Sequence, residues 1–155
     1  MTPSEDPASA ALHRVRFVPE PFVHRLRVRV HEVDAQAIVF NANWFMYFDV
    51  AMNELLRSLL GSYGALVEAG ADFVVREATA RFHAPGRFDE ELDIELPVEH
   101  LGASSIVVAP RGVRDGELLV QGRVVHVCVD PRTLARREIP AAVRERLEPW
   151  VTGAG

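Results

Sequence analysis

From Phe22 onward apolar and polar side chains alternate: Leu26, Val28 and Val30 fall on one side, Arg25, Arg27 and Arg29 on the other. A period of two predicts a strand with one wet face. The stretch from Val33 to Phe40 has no helical period, and then the spacing changes. Phe45, Phe48, Met52, Leu55, Leu56 and Leu59 follow at intervals of three and four, with Trp44 and Ala51 alongside. This apolar face is about five turns long, so the helix it predicts lies inside something concave. Asn41 or Asn43 is placed to cap its start and Gly61 to end it. A shorter helix is expected over Tyr63 to Glu68, closing at Gly70.

Beyond Gly70 the runs Phe73–Phe82, Glu91–Glu99, Ser104–Val113 and Leu118–Val129 read as strands. Pro85-Gly86, Leu101-Gly102 and Asp115-Gly116 separate them as turn signals. The last two separators are short, so their flanking strands should be antiparallel neighbours. The final strand loses its alternation after Gly122, which predicts cover on both faces. Pro140 suits the first turn of a closing helix over Ala141–Leu147. The class is α+β: an antiparallel sheet of about five strands wrapped around one long central helix. Residues 1–20, with Pro3, Pro7 and Pro19 among small side chains, are expected to be a tail, and residues 21–150 one domain. A sheet of this kind has two free edges, so pairing with a second copy is expected.

Composition narrows the function. A chain of 155 residues with 48% hydrophobic and 25% charged positions is long enough for a core without disulfides. No apolar run approaches the roughly 18 residues of a membrane span. The opening residues lack an apolar signal core, and the expectation is a cytoplasmic protein. A net charge of -5 disfavours a nucleic-acid partner. All 17 basic residues are arginine. With no lysine, Schiff-base catalysis and lysine-bearing phosphate loops are excluded.

Few residues remain that could do chemistry. The single cysteine, Cys128, lies inside a predicted strand and reads as a small core residue. The six histidines show no metal-ligand spacing, no Gly-x-Ser-x-Gly elbow occurs, and no glycine-rich dinucleotide fingerprint follows a strand. Neither a metal nor another cofactor is expected. Carboxylates are left, and Asp34 stands out. It lies between a strand and the long helix and is followed by Ala35, Ala37, Ile38, Val39 and Phe40. Seven residues later the helix opens with N–H groups that have no partner inside it. A carboxylate beside such groups can attack or activate water while they hold an oxyanion. A turn aspartate that satisfies only its own backbone fits the same spacing.

The run Glu32-Val33-Asp34-Ala35-Gln36-Ala37-Ile38-Val39-Phe40-Asn41-Ala42-Asn43-Trp44 resembles the signature of hotdog-fold acyl-CoA thioesterases, in the branch of 4-hydroxybenzoyl-CoA thioesterase and YbgC. The likeness continues through Arg81-Phe82-His83-Ala84-Pro85-Gly86-Arg87-Phe88-Asp89-Glu90 and through Val125–Asp130 with Ile139-Pro140. It implies a hotdog fold and hydrolysis of a thioester to an acid and a thiol. The substrate would be an acyl-CoA or, alternatively, an acyl carrier protein thioester; a non-catalytic acyl-binding hotdog protein is the third possibility. Residue by residue, the resemblance makes Asp34 the catalytic carboxylate, as nucleophile or general base, and the Asn41 amide the oxyanion donor. Phe40 and Trp44 would face the acyl group, and Phe82, His83, Ala84 and Pro85 would form the wall of a pantetheine channel. A homodimer or homotetramer is implied, with the pocket between protomers. Three positions depart from the pattern. Ala37 stands where glycine is usual, and Asn41 where His or Tyr is common. The turn from Leu101 to Ser105 lacks the basic residue that some relatives use for CoA phosphates.

Overall fold

A computed structural model of the chain describes residues 19–153. The expected tail, apart from Pro19 and Glu20, lies outside the described residues. The strands are β1 (Phe22–Arg27), β2 (Asp72–Phe82), β3 (Glu91–Leu96), β4 (Val98–Leu101), β5 (Ser105–Val108), β6 (Arg111–Arg114) and β7 (Glu117–Val129). The helices are α1 (Asn41–Leu60), α2 (Tyr63–Glu68) and α3 (Ala141–Leu147), with single 3-10 turns at Val30–Glu32 and Glu148–Trp150.

Among the described residues every ladder between these seven strands is antiparallel, and a single parallel bridge joins Val98 to Val151. β1 pairs with β3, β3 with β6, and β6 with the first half of β7. The second half of β7 pairs with β5, which carries β4 on its far side, while β2 runs along the opposite edge of β7. Seven strands replace the expected five, for a covalent reason. Pro97 and Pro110 lack the N–H that a ladder needs, and each breaks one long run in two. The β3–β6 ladder stops at Glu95 opposite Arg111, and the β4–β5 ladder starts at Val98 opposite Val108. Between them the Ala109 N–H donates to the Pro97 carbonyl at 2.9 Å, so the pairing continues around the bend. The sheet is thus five long strands, two of them bent.

The bend lets the sheet curve around α1. Trp44, Tyr47, Phe48, Ala51, Met52, Leu55 and Leu56 are the buried residues of α1, and they share the core with Leu92, Ile94, Leu96, Ile106, Val120 and Val124 of the sheet. Burying each large side chain of this set contributes roughly 1.5–3 kcal/mol. The helix ends where the chain reverses at Gly61, whose φ of 86° suits glycine and whose N–H donates to the Arg57 carbonyl at 2.8 Å.

Two local expectations are corrected. The helix is capped by the backbone of Phe40, with no side-chain hydrogen bond; Asn43 instead sends its Nδ2 to the Glu32 carbonyl at 2.7 Å. Val30 does not continue the strand alternation. The chain leaves the sheet after Val28, which is buried, and Val30 is 70% exposed on the 3-10 turn. In β7 the residues from Val124 to Val129 remain partly alternating, buried and half-buried rather than sealed on both faces. Cys128 is a buried core residue. Among the described residues, no helix is long and apolar enough to cross a membrane.

Candidate active site

Residues 32–40 fold into a narrow hairpin between the 3-10 turn and α1. Val33 pairs with Val39. The Asp34 N–H donates to the Ile38 carbonyl and the Ala37 N–H to the Asp34 carbonyl, both at 2.9 Å. The tip is three residues, Ala35 to Ala37. Closing so tight a turn puts Ala37 at φ 58°, the left-handed region that glycine occupies without cost. The position where the resemblance implies glycine is therefore a strained one.

The Asp34 side chain is half-buried at the foot of this tip. Its Oδ1 accepts from the Gln36 N–H at 2.8 Å, with the Ile38 N–H at 3.5 Å, the pattern of an Asx turn. With the Gln36 carboxamide turned so that its nitrogen faces the acid, that nitrogen lies 3.2 Å from both Asp34 oxygens. The backbone thus uses one oxygen and leaves the other to the cleft and to Gln36. Among the described residues the Asn41 N–H, first in α1, has no acceptor. Phe40 and Asn43 hold the helix start by backbone and side-chain bonds to Glu32 and Phe40 instead.

A cavity of about 560 Å³ joins these pieces. Asp34, Phe40, Asn41 and Trp44 line one side, and Phe82, His83, Ala84 and Pro85 the other. All eight residues singled out in the sequence meet there. Gln36, Ile38, Val39 and Gly86 complete the lining. Gln36, Ile38 and Val39 lie in the short segment between Asp34 and Phe40, and Gly86 follows Pro85, so nearness along the chain to the singled-out residues was their only signal.

That approach is built from backbone. The His83 and Ala84 N–H groups donate to the Leu119 carbonyl, extending β2 along β7. The Val39 N–H donates to the Gly86 carbonyl at 2.8 Å, and Ile38 bridges to Arg87. Arg114 braces the outside: its guanidinium donates to the Pro85 carbonyl at 3.2 Å and to both Glu90 oxygens at 2.8 and 2.9 Å. Burial opposes ionisation of Glu90, but the bonds from Arg114 and from the Arg87 amide outweigh it and hold the carboxyl below the ordinary range. His83 places Nε2 3.2 Å from the Gln121 side-chain oxygen. Trp44 is 2% exposed and forms the cavity floor, edge-on to Tyr47 at 5.6 Å. Asp49 and Glu54, on α1, are outside this lining; partial burial raises the Asp49 pKa, and Glu54 pairs with Arg57 at 3.3 Å.

The arrangement offers a carboxylate, an open helix-start amide and mostly apolar walls in one cleft. Among the described residues no group of three or more His, Cys, Asp or Glu is placed to hold a metal.

Known proteins match this chain over most of its length. The thioesterase superfamily profile matches residues 36–120. The acyl-CoA thioester hydrolase YbgC of Escherichia coli O6:H1 is 32% identical over 119 residues, 76% of this chain and 89% of its own. Among solved structures, a hypothetical protein of Aquifex aeolicus superposes with a TM-score of 0.74 at 28% identity, covering 82% of this chain and 99% of that one. A gentisyl-coenzyme A thioesterase superposes with a TM-score of 0.72 at 27% identity, covering 80% and 98%. The superpositions agree with the antiparallel sheet curved around α1, and with the profile and the relative they show that the chain belongs to the thioesterase superfamily, as a thioester hydrolase of the hotdog fold.

Proposed function

We propose that this protein hydrolyses an acyl-CoA to a free acid and CoA, with Asp34 as the acting carboxylate and the Asn41 amide as the oxyanion donor. One observation carries the reading: Asp34 and the unpartnered Asn41 N–H line the same cavity. A tetrahedral intermediate formed at a thioester carbonyl there would set its negative oxygen against the start of α1, where the helix dipole adds to the hydrogen bond. Asp34 would act in one of two ways. It attacks the carbonyl, expels the thiolate and leaves a mixed anhydride for water to open, or it takes a proton from water as water attacks. Both routes end in the acid and the thiol.

The walls suggest the acyl group. Phe40 and Trp44 favour an aromatic or medium-length apolar acid, held in a cleft with mostly apolar walls. The relatives' names, with acyl-CoA and gentisyl-coenzyme A in them, support CoA as the carrier. The working form is a homodimer or homotetramer in the cytoplasm, made through β2. Among the described residues that strand pairs only with β7, and it leaves Val75 and Phe82 half exposed along the other edge. The domain spans residues 21–150.

The test is a thiol-release assay over aromatic, short and long acyl-CoAs, with an acyl carrier protein thioester as an added arm. Asp34→Asn should lower kcat by roughly 10²–10⁴-fold while leaving the fold intact. Near-normal turnover by that variant removes Asp34 from the reaction. Faster turnover of the carrier-protein thioester than of any acyl-CoA moves the substrate to that class. Thermal stabilisation by acyl-CoAs without thiol release would mark a binding protein. Single-turnover hydrolysis in ¹⁸O water, with hydroxylamine trapping as a second arm, separates the two roles of Asp34: label entering Asp34, or an Asp34 hydroxamate, requires the anhydride, whereas a general base takes up neither.

A further inference from the structure

We propose that Glu32, held by Tyr47, is a positioning residue for this hydrolysis: it fixes the hairpin that carries Asp34 against the start of α1. The inference rests on the reading of Asp34 as the acting carboxylate.

Four hydrogen bonds converge on Glu32. Its carboxylate accepts from the Arg29 N–H at 2.8 Å and from the Tyr47 hydroxyl at 2.7 Å. Its carbonyl accepts from the Phe40 N–H at 2.9 Å and from Asn43 Nδ2 at 2.7 Å. The partners are the residue before the 3-10 turn, the last residue of the hairpin, and two residues of the first turns of α1. One residue two positions before Asp34 thus gathers both ends of the loop and the helix whose first amide is the oxyanion donor: its carbonyl takes the Phe40 amide and Asn43, and its side chain joins the Arg29 amide to Tyr47 on α1.

The chemistry of the residue points the same way. Glu32 is 6% exposed, and His31 Nε2 stands 3.9 Å from its other oxygen. A buried carboxylate is costly, and replacing such a group by a packed apolar residue is often neutral or stabilising. Stability alone is therefore a poor reason for a glutamate here. What an apolar residue could not supply is geometry: an acceptor that holds Arg29 and Tyr47 at fixed separation sets where the hairpin stands. Tyr47 is on the buried face of α1 and packs against Trp44, so the anchor reaches the cavity floor as well. Burial and the bond to Glu32 raise the Tyr47 pKa, which keeps the hydroxyl a donor throughout the working range.

The test uses the full chain with Tyr47→Phe, Glu32→Gln and Glu32→Ala. Two readouts are needed, amide hydrogen exchange and the kinetic constants on the best acyl-CoA. In Tyr47→Phe and Glu32→Ala the amides of Asp34, Ala37 and Phe40 should exchange at least about tenfold faster, with those of β3 and β7 unchanged. In the same variants kcat should fall by about tenfold or more, with KM within about twofold of the parent. Glu32→Gln, which keeps an acceptor for the Arg29 amide, should recover part of both losses. Uniformly faster exchange across the sheet, or hairpin amides as protected as in the parent, would overturn the proposal. So would a kcat unchanged beside a fully inactive Asp34→Asn. A parent without thioester turnover instead sinks the hydrolase reading and the catalytic half of this one; the exchange pattern then decides whether Glu32 fixes the hairpin.

Discussion

The indole of Trp44 lies against the backbone of Gly112: a Cβ there would stand 3.0 Å from Cη2, 3.1 Å from Cε3 and closer still to Cζ3. The floor of the cavity therefore depends on a residue in β6 that touches no part of the candidate chemistry. Gly112→Ala should cost about 1–3 kcal/mol by overpacking, read as a lower urea midpoint. Pairing it with Trp44→Phe should recover part of that loss, because the smaller ring vacates the contested space. Additive losses in the double variant would mean that the two residues do not compete for that space.

Ala37 holds φ 58° at the hairpin tip. A left-handed conformation costs an L residue about 1–2 kcal/mol, and glycine gives back about 0.5–1 kcal/mol through its freer unfolded chain. Ala37→Gly should therefore raise stability by roughly 0.5–1 kcal/mol, with kcat unchanged because the turn keeps its shape. Ala37→Val, β-branched at the same φ, should do the reverse. Denaturant melts of the two variants check the sign.

His126 is 3% exposed, and among the described residues neither ring nitrogen has a hydrogen-bond partner. It sits on β7 opposite Val75 of β2 and Ile106 of β5. Burial pushes its pKa from 6.5 down to about 4. The unfolded chain thus takes up a proton at a pH where the native protein does not. Native stability is full above pH 6.5 and falls as the pH drops toward 4, by a total on the order of 3 kcal/mol. The Arg25 guanidinium holds the Asp93 carboxyl below its usual range, and Arg114 does the same for Glu90. Those groups add their losses only below about pH 4.5. Thermal melts from pH 7.5 to 5 should therefore show a slope that His126→Leu removes; a slope that persists in that variant assigns it to other groups.

Val75 is half exposed beside the free edge of β2. If β2 joins two copies, Val75→Lys should oppose that pairing, because a charge on an edge strand disfavours a second strand. Light scattering after gel filtration should then report a smaller species than the parent, and turnover should fall with it. An assembly of unchanged mass would locate the subunit contact elsewhere.

How much of this could be read from the chain follows from the range of each interaction. The helix α1 was legible because its apolar residues recur every three or four positions and Gly61 stops it. The hairpins at Leu101-Gly102 and Asp115-Gly116 were legible because turn chemistry is local. The eight cavity residues were legible through motif resemblance, which carries tertiary information that periodicity does not. The cap was misread because Asn43 had a competing acceptor at Glu32, eleven positions away, which no local rule sees. Pro97 and Pro110 stood in plain view, but whether a proline ends a strand or bends it depends on the neighbour across the sheet.

Residue order alone thus determined which segments are helix and which are sheet, since hydrophobic spacing and backbone stereochemistry act over a few residues. Only folding decided that Glu32 meets Tyr47, that Trp44 settles on Gly112, and that His126 is enclosed. Each of these rests on contacts between groups distant along the chain, whose energies exist only once the sheet has closed around the helix.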